Sequence, residues 1–229
     1  MKNLIFTSFF IFSIGFWSHS QNNGQLWLEA GLKTKITPDL AINAELNNRI
    51  GSNGLSTSFT QLSVKYKVFK WLSTSLDYRI ISKKQENTNY LNSNRINANL
   101  GLSHKQNRLT GNLRLRYQYA YGRIFNSEYE PDFDNAIRFR PGIKYDIENS
   151  IFTPHLSTEF YYNPTHGPLG KRFNKIRTAV GVDFEIDGPH DIGLQLIYDK
   201  KINLPDPTNY LILKLSYAYK IAFYKKNKR

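Results

Sequence analysis

Arginine on alternate positions is the most persistent chemical feature of this sequence. Arg49, Arg79, Arg95, Arg114, Arg116, Arg138, Arg140 and Arg177, with Lys175 beside the last, all occupy the polar parity of a period-two pattern. A guanidinium grips a carboxylate or phosphate bidentately, and rings of such groups make a passage favour anions. Fewer carboxylates share the parity, chiefly Glu45, Asp77, Glu159, Asp183 and Glu185. A buried charge without a partner costs several kcal/mol, so the unmatched cations must meet water or an anion. Two expectations follow. Either arginines and carboxylates pair across an interior filled by side chains, or a water-filled, porin-like interior binds or passes small anionic solutes.

His155 and Ser157 form a second constellation, an H-x-S pair with Glu159 two residues further on. Same-face residues two apart in a strand lie ~7 Å from each other, workable for general-base activation of a serine only after adjustment. An outer-membrane lipid hydrolase or deacylase using His155 and Ser157 is therefore the alternative function. Their parity points away from the outer wall where such enzymes meet lipid, so the residues favour a non-enzymatic role. In a third group, Asn126, Glu128, Glu130, Asp132 and Asp134 make an acidic loop. Its oxygens suit Ca²⁺ and a bridge to lipopolysaccharide phosphates, but the loop lacks the spacing and glycine of a dedicated calcium loop and reads as solvated. The five histidines show no zinc pattern and there is no cysteine. No cofactor and no metal is expected.

The elements that must carry these groups alternate strictly. Leu40, Ile42, Ala44 and Leu46 oppose Asn43, Glu45, Asn47 and Arg49; Leu113, Leu115, Tyr117 and Tyr119 oppose Arg114, Arg116 and Gln118. This places apolar and polar residues on opposite faces of a sheet. Eleven such segments fall near 25–36, 40–50, 58–68, 71–82, 92–104, 109–122, 135–146, 151–162, 173–186, 190–199 and 209–223. Each is long enough to cross a bilayer at a tilt. The connections at 37–39, 68–70, 105–108, 148–150 and 187–189 are tight, and those at 51–57, 83–91, 123–134, 163–172 and 200–208 are longer. Short turns at one end and long loops at the other mark a closed antiparallel transmembrane β-barrel. Tyr117, Tyr119 and Tyr121 toward one end, and Phe69, Trp71, Tyr217, Tyr219 and Phe223 toward the other, fit two aromatic girdles. Bacterial barrels have even strand counts with both termini periplasmic, which eleven visible segments do not meet, so an all-β barrel of ten to twelve strands is expected. Pro141 and Pro154 would lie nearly opposite one another, predicting a bulge in that hairpin.

Lys2, an apolar run from Leu4 to Trp17 and the small residues Ser18 and Ser20 read as a signal peptide over residues 1–20, cleaved near Ser20. Residues 21–229 would then form one barrel in the outer membrane of a Gram-negative bacterium. The partners expected are the bilayer, lipopolysaccharide and the barrel-assembly machinery, which would read the aromatic last strand. A basic tail, Lys225 to Arg229, follows that strand and reads as solvated. The mean hydropathy of -0.50 does not oppose this, because only alternate residues need face lipid. The net charge of +13 is spread over the whole chain and not gathered on one face, which excludes nucleic acid. A soluble exported β-protein remains a third reading.

The order of several stretches carries a family resemblance: Trp27, Glu45 to Arg49, Tyr78 and Arg79, Arg114 to Tyr117, Arg138 to Tyr145, Pro154 to Tyr162, and Asn174 to Gly181. Over essentially the whole mature chain the sequence resembles the domain-of-unknown-function 2490 family of bacterial outer-membrane β-barrels. That resemblance implies an outer-membrane barrel and supplies no activity and no catalytic residues.

Overall fold

The computed structural model describes residues 22–84, 89–121, 131–165, 171–204 and 207–223. The expected signal segment, the acidic stretch 126–130 and the basic tail 225–229 lie outside the described residues. The alternating segments form β1 (Asn22–Lys35), β2 (Leu40–Gly51), β3 (Gly54–Lys67), β4 (Leu72–Lys84), β5 (Tyr90–Gln106), β6 (Leu109–Tyr121), β7 (Ala136–Tyr145), β8 (Phe152–Asn163), β9 (Arg172–Phe184), β10 (His190–Lys201) and β11 (Asn209–Ala222). Consecutive strands pair antiparallel, and β1 closes on β11 to complete one barrel. Closure leaves no strand edge unpaired.

The closed antiparallel barrel expected from the sequence has eleven strands, within the expected ten to twelve though odd in number. An odd meander brings its first and last strands together running the same way, so the seam is a parallel ladder from Asn22↔Asn209 to Lys35↔Ala222. Parallel pairing is slightly weaker per residue. Here the ladder runs the full length of both strands, and Phe223 N–H extends it to the Lys35 carbonyl at 3.0 Å. The chain therefore enters the barrel at the long-loop end and leaves it at the short-turn end.

Two local expectations also change. The connection expected over 51–57 is only Ser52 and Asn53, because Gly54 takes a φ of +83° and closes a tight hairpin. The β7–β8 hairpin has no bulge. Its register runs continuously from Ile137↔Tyr162 to Lys144↔His155, with pairing interrupted at Arg140 and Pro141. Pro154 therefore lies next to Tyr145 and not opposite Pro141; Pro141 costs a ladder bond without adding a residue. Bulges occur instead at Arg49/Ile50 and Tyr161/Tyr162.

One parity of every strand faces outward and is apolar: Leu62, Leu76, Ile80, Val180, Leu196 and Leu215 are all exposed. Exposed aromatics ring this surface at two heights, with Tyr121, Phe173 and Tyr198 near the long-loop end and Phe69, Trp71, Tyr145, Phe152 and Tyr219 near the short-turn end. The other parity points into the barrel, where the polar Asn97, Gln118 and Lys175 are almost completely buried. Among the described residues no helix is long and apolar enough to cross a membrane, which says nothing of a barrel.

Candidate functional site in the barrel lumen

Cross-strand register sets up an electrostatic conflict. Arg79 lies opposite Arg95, Arg114 opposite Arg140 and Arg116 opposite Arg138. Like charges facing one another on one sheet surface repel, so each pair needs an anionic group between or beside its members. Glu159 on β8 answers most of this. Arg138 grips it bidentately, Nε to Oε1 at 2.9 Å and an Nη2 to Oε2 at 2.8 Å, and Arg114 donates to Oε1 at 2.7 Å. Tyr161 adds its hydroxyl to Oε2 at 3.2 Å and lies 4.3 Å beneath the Arg138 guanidinium. Asp77 accepts Arg116 at 3.0 Å and Asn99 at 2.9 Å, and Glu45 lies 3.6 Å from Arg79.

Toward the long-loop end the lumen is filled from a loop. Pro131, Phe133 and Asp134, just before β7, are buried, and Phe133 packs on Phe59 and Ile81. Asp132 of this segment meets Lys175 Nζ at 2.6 Å, Arg177 at 3.4 Å and Arg49 at 3.9 Å. Its backbone carbonyl accepts a hydrogen bond from Arg95. Burial by itself would raise the Asp132 carboxyl, but Lys175, Arg177 and Arg49 together hold it well below the usual carboxylate range. Asp199 completes the cluster, taking Arg177 in a two-pronged contact at 2.5 Å and Lys175 at 3.3 Å. The expected solvated acidic loop is thus, in its described part, an ion-paired plug.

Three aromatics support the cations from below. Arg49 lies 3.9 Å from the Trp27 ring centre, Arg79 lies 3.7 Å from Phe59, and Lys175 lies 4.1 Å from Tyr161. Such contacts are worth about 2 kcal/mol where water is excluded. Trp27, Phe59, Tyr161 and Asp199 share the lumen parity, so alternation marks them. Asp132 comes from a loop, where no periodicity applies.

Every lumen arginine anticipated from the sequence lines this interior, as does Lys175. Two of them have no carboxylate within ion-pair distance among the described residues. Among those residues Arg95 has the Asp132 carbonyl as its hydrogen-bond partner, and Arg140 has none. Below the plug lies a cavity of about 320 Å³ whose lining includes ten lysines and arginines but five carboxylates. It shares Gln61, Asn112, Arg114 and Arg116 with a second cavity of about 350 Å³ that reaches Ser73 and Ser103 near the short turns.

His155, Ser157 and Glu159 also face the lumen. Glu159 is occupied by Arg114, Arg138 and Tyr161, and the carboxylate beside His155 is Asp183, 3.5 Å from Nε2. No hydrogen bond joins His155 to Ser157, and the buried Nε2 has no hydrogen-bond partner. The His155 ring covers Gly181, its strand neighbour, so closely that a Cβ there would stand 2.7 Å from the ring and 2.6 Å from the Leu194 carbonyl oxygen. Gly181→Leu should therefore destabilise the barrel by roughly 1–3 kcal/mol through overpacking, read as a lower urea midpoint. Among the described residues no three His, Asp or Glu side chains converge on a metal position.

A closed barrel with an ion-paired plug and a basic chamber beneath it is the class of protein that these features define. The chain matches, over residues 24–226, the family described as Protein of unknown function (DUF2490), and it belongs to that family. No curated protein matches it.

Proposed function

We propose that this chain, once residues 1–20 are removed, resides in the Gram-negative outer membrane as a plugged barrel that binds small anions in a chamber open to the periplasm. The observation that carries the reading is the excess of cations around the 320 Å³ cavity, which persists when Asp77 and Asp199, paired to Arg116 and Arg177 from beyond the lining, are counted with its carboxylates. A side-chain-filled interior would pair its charges fully, since each unpaired one costs several kcal/mol. The apolar exterior with aromatics at both rims supports the bilayer. A soluble exported β-protein would leave that whole surface in water, far beyond the few hundred Å² that monomers expose. The plug supports binding over free passage.

Fractionation should recover the protein from the outer membrane with heat-modifiable gel mobility, and planar bilayers should record no steady conductance from wild type. Recovery as a soluble periplasmic species would overturn the location. A steady open-channel current from wild type would overturn the plugged chamber.

A further inference from the structure

The lower lumen holds a cluster in which several polar groups have no partner among the described residues. Arg114 and Arg140 face each other across β6 and β7, and one residue pair further along β7 and β8, Lys144 faces His155 and Gly142 faces Ser157. All six side chains or positions border the same chamber or adjoin it, with Asn112 beside them. Arg140 makes no hydrogen bond and no ion pair among the described residues. The Nε atoms of Arg114 and Arg140 and the Nε2 of His155 are buried without hydrogen-bond partners. Ser157 and Asn112 likewise keep their polar groups unengaged by described protein groups. Buried donors are nearly always satisfied in folded proteins, so a cluster of unmet ones around an open cavity implies that an acceptor is brought from outside.

The charge balance says what kind of acceptor. On this side of the lumen Arg114, Arg116, Arg138, Arg140 and Lys144 are answered by Asp77, Glu159 and Asp183. Asp183 is already covered by Lys144 at 2.5 Å, and Glu159 by two arginines. Counting these lysines and arginines against these carboxylates, the excess is two positive charges. A phosphate monoester carries about -1.5 to -2 at neutral pH and offers three strong acceptor oxygens. It would match the guanidinium geometry of Arg140 and Arg114 and leave neutral partners in Ser157 and Asn112. A chamber of about 320 Å³ leaves room for a small organic group beside the phosphate.

Resting on the anion-chamber reading above, we propose that the chamber is a phosphate-group site with Arg140 as its principal ligand and Arg114 and Lys144 as supporting cations. The ligand is a soluble phosphate or phosphomonoester entering from the short-turn end. A phosphate on a lipid headgroup shares the chemistry, but the closed wall separates Arg140 from the bilayer.

Isothermal titration of the full mature chain in detergent, using inorganic phosphate and glycerol 3-phosphate, tests this. Both should bind wild type. Arg140→Ala should weaken both at least tenfold and Arg140→Lys less, each keeping heat-modifiable mobility. Lys105→Ala, which removes only a rim ion pair with Asp146, should bind as wild type does. Phosphatidic acid in the micelles should not compete. Phosphate binding that survives Arg140→Ala within twofold overturns the site while leaving the anion chamber standing. So does a wild type that binds citrate but neither phosphate probe. Competition by phosphatidic acid alone overturns the soluble-solute assignment. A wild type that binds no anion at all overturns the chamber and the site together.

Discussion

Glu159→Ala should be the most damaging single substitution in this barrel, lowering stability by about 3–5 kcal/mol, the range found when one partner of a buried ion pair is removed. The Glu159 side chain is 3% exposed and holds Arg114, Arg138 and the Tyr161 hydroxyl at once. Without it, Arg114, Arg116, Arg138 and Arg140 stand on adjacent strands with only Asp77 among them. Water reaching the lumen would soften the loss, yet Arg138 is only 5% exposed and starts largely shielded from it. Glu159→Gln should cost less, because the amide oxygen still accepts a guanidinium. By contrast Lys105→Ala breaks a pair whose partners are 57% and 48% exposed and should change stability by at most about 1 kcal/mol. Urea titrations in detergent, followed by loss of the heat-resistant gel band, would measure all three. Equal midpoints for Glu159→Ala and Lys105→Ala would mean that the lumen is wet enough to screen its charges.

Asp132→Ala should turn a closed barrel into a conducting one. The carboxylate ties the plug to β9 through Lys175 and Arg177 and to β2 through Arg49. Removing it leaves Phe133 packing, the Arg95 and Gln118 contacts to the carbonyls of Asp132 and Asp134, and the Ala120 N–H bond to Asn135 among the contacts that hold the segment in place. It also uncovers Lys175, Arg177 and Arg49 inside the lumen. The expected result in planar bilayers is current through the variant, with a reversal potential in a salt gradient that favours anions, against none through wild type. Replacing residues 123–134 by a short Gly-Ser turn should give the larger current. The latch is also resistant to acid. Because the folded carboxyl is held well below the ordinary value near 3.9, its stabilisation is complete above that value. It fades only as the pH falls through the depressed folded value, so wild type should stay closed at pH 5. A silent Asp132→Ala barrel alongside a conducting loop replacement would place the latch in Phe133 packing instead.

Alternation alone determines a great deal here. It places Arg49, Arg79, Arg114, Arg138 and Arg177 inside and Leu62, Leu76 and Leu196 outside, because a strand sends successive side chains to opposite faces whatever it pairs with. The eleven segments, the two aromatic heights and the excess of lumen cations are read the same way. What alternation cannot carry is anything that depends on which strand meets which, and at what register. The parallel closure of β1 on β11 is a property of the whole circuit, and local pattern could only argue from the even counts usual in bacterial barrels. The tight turn at Gly54 hides in a polar stretch that looks like a long loop.

The site divides along the same line. The sequence determined that this barrel would have a basic, arginine-lined interior with too few carboxylates for it. Only the tertiary structure decided how that imbalance is distributed. Register puts Glu159 among arginines from β6 and β7 and leaves Arg140 without a carboxylate at ion-pair distance among the described residues. A loop without periodicity carries Asp132 back into the barrel to close its other end. Charge pairing acts over a few ångströms between residues far apart in the chain, 45 positions for Arg114 and Glu159 and 158 for Lys33 and Asp191. Such distances are settled by strand pairing and loop path, and neither is written in the parity of a single strand.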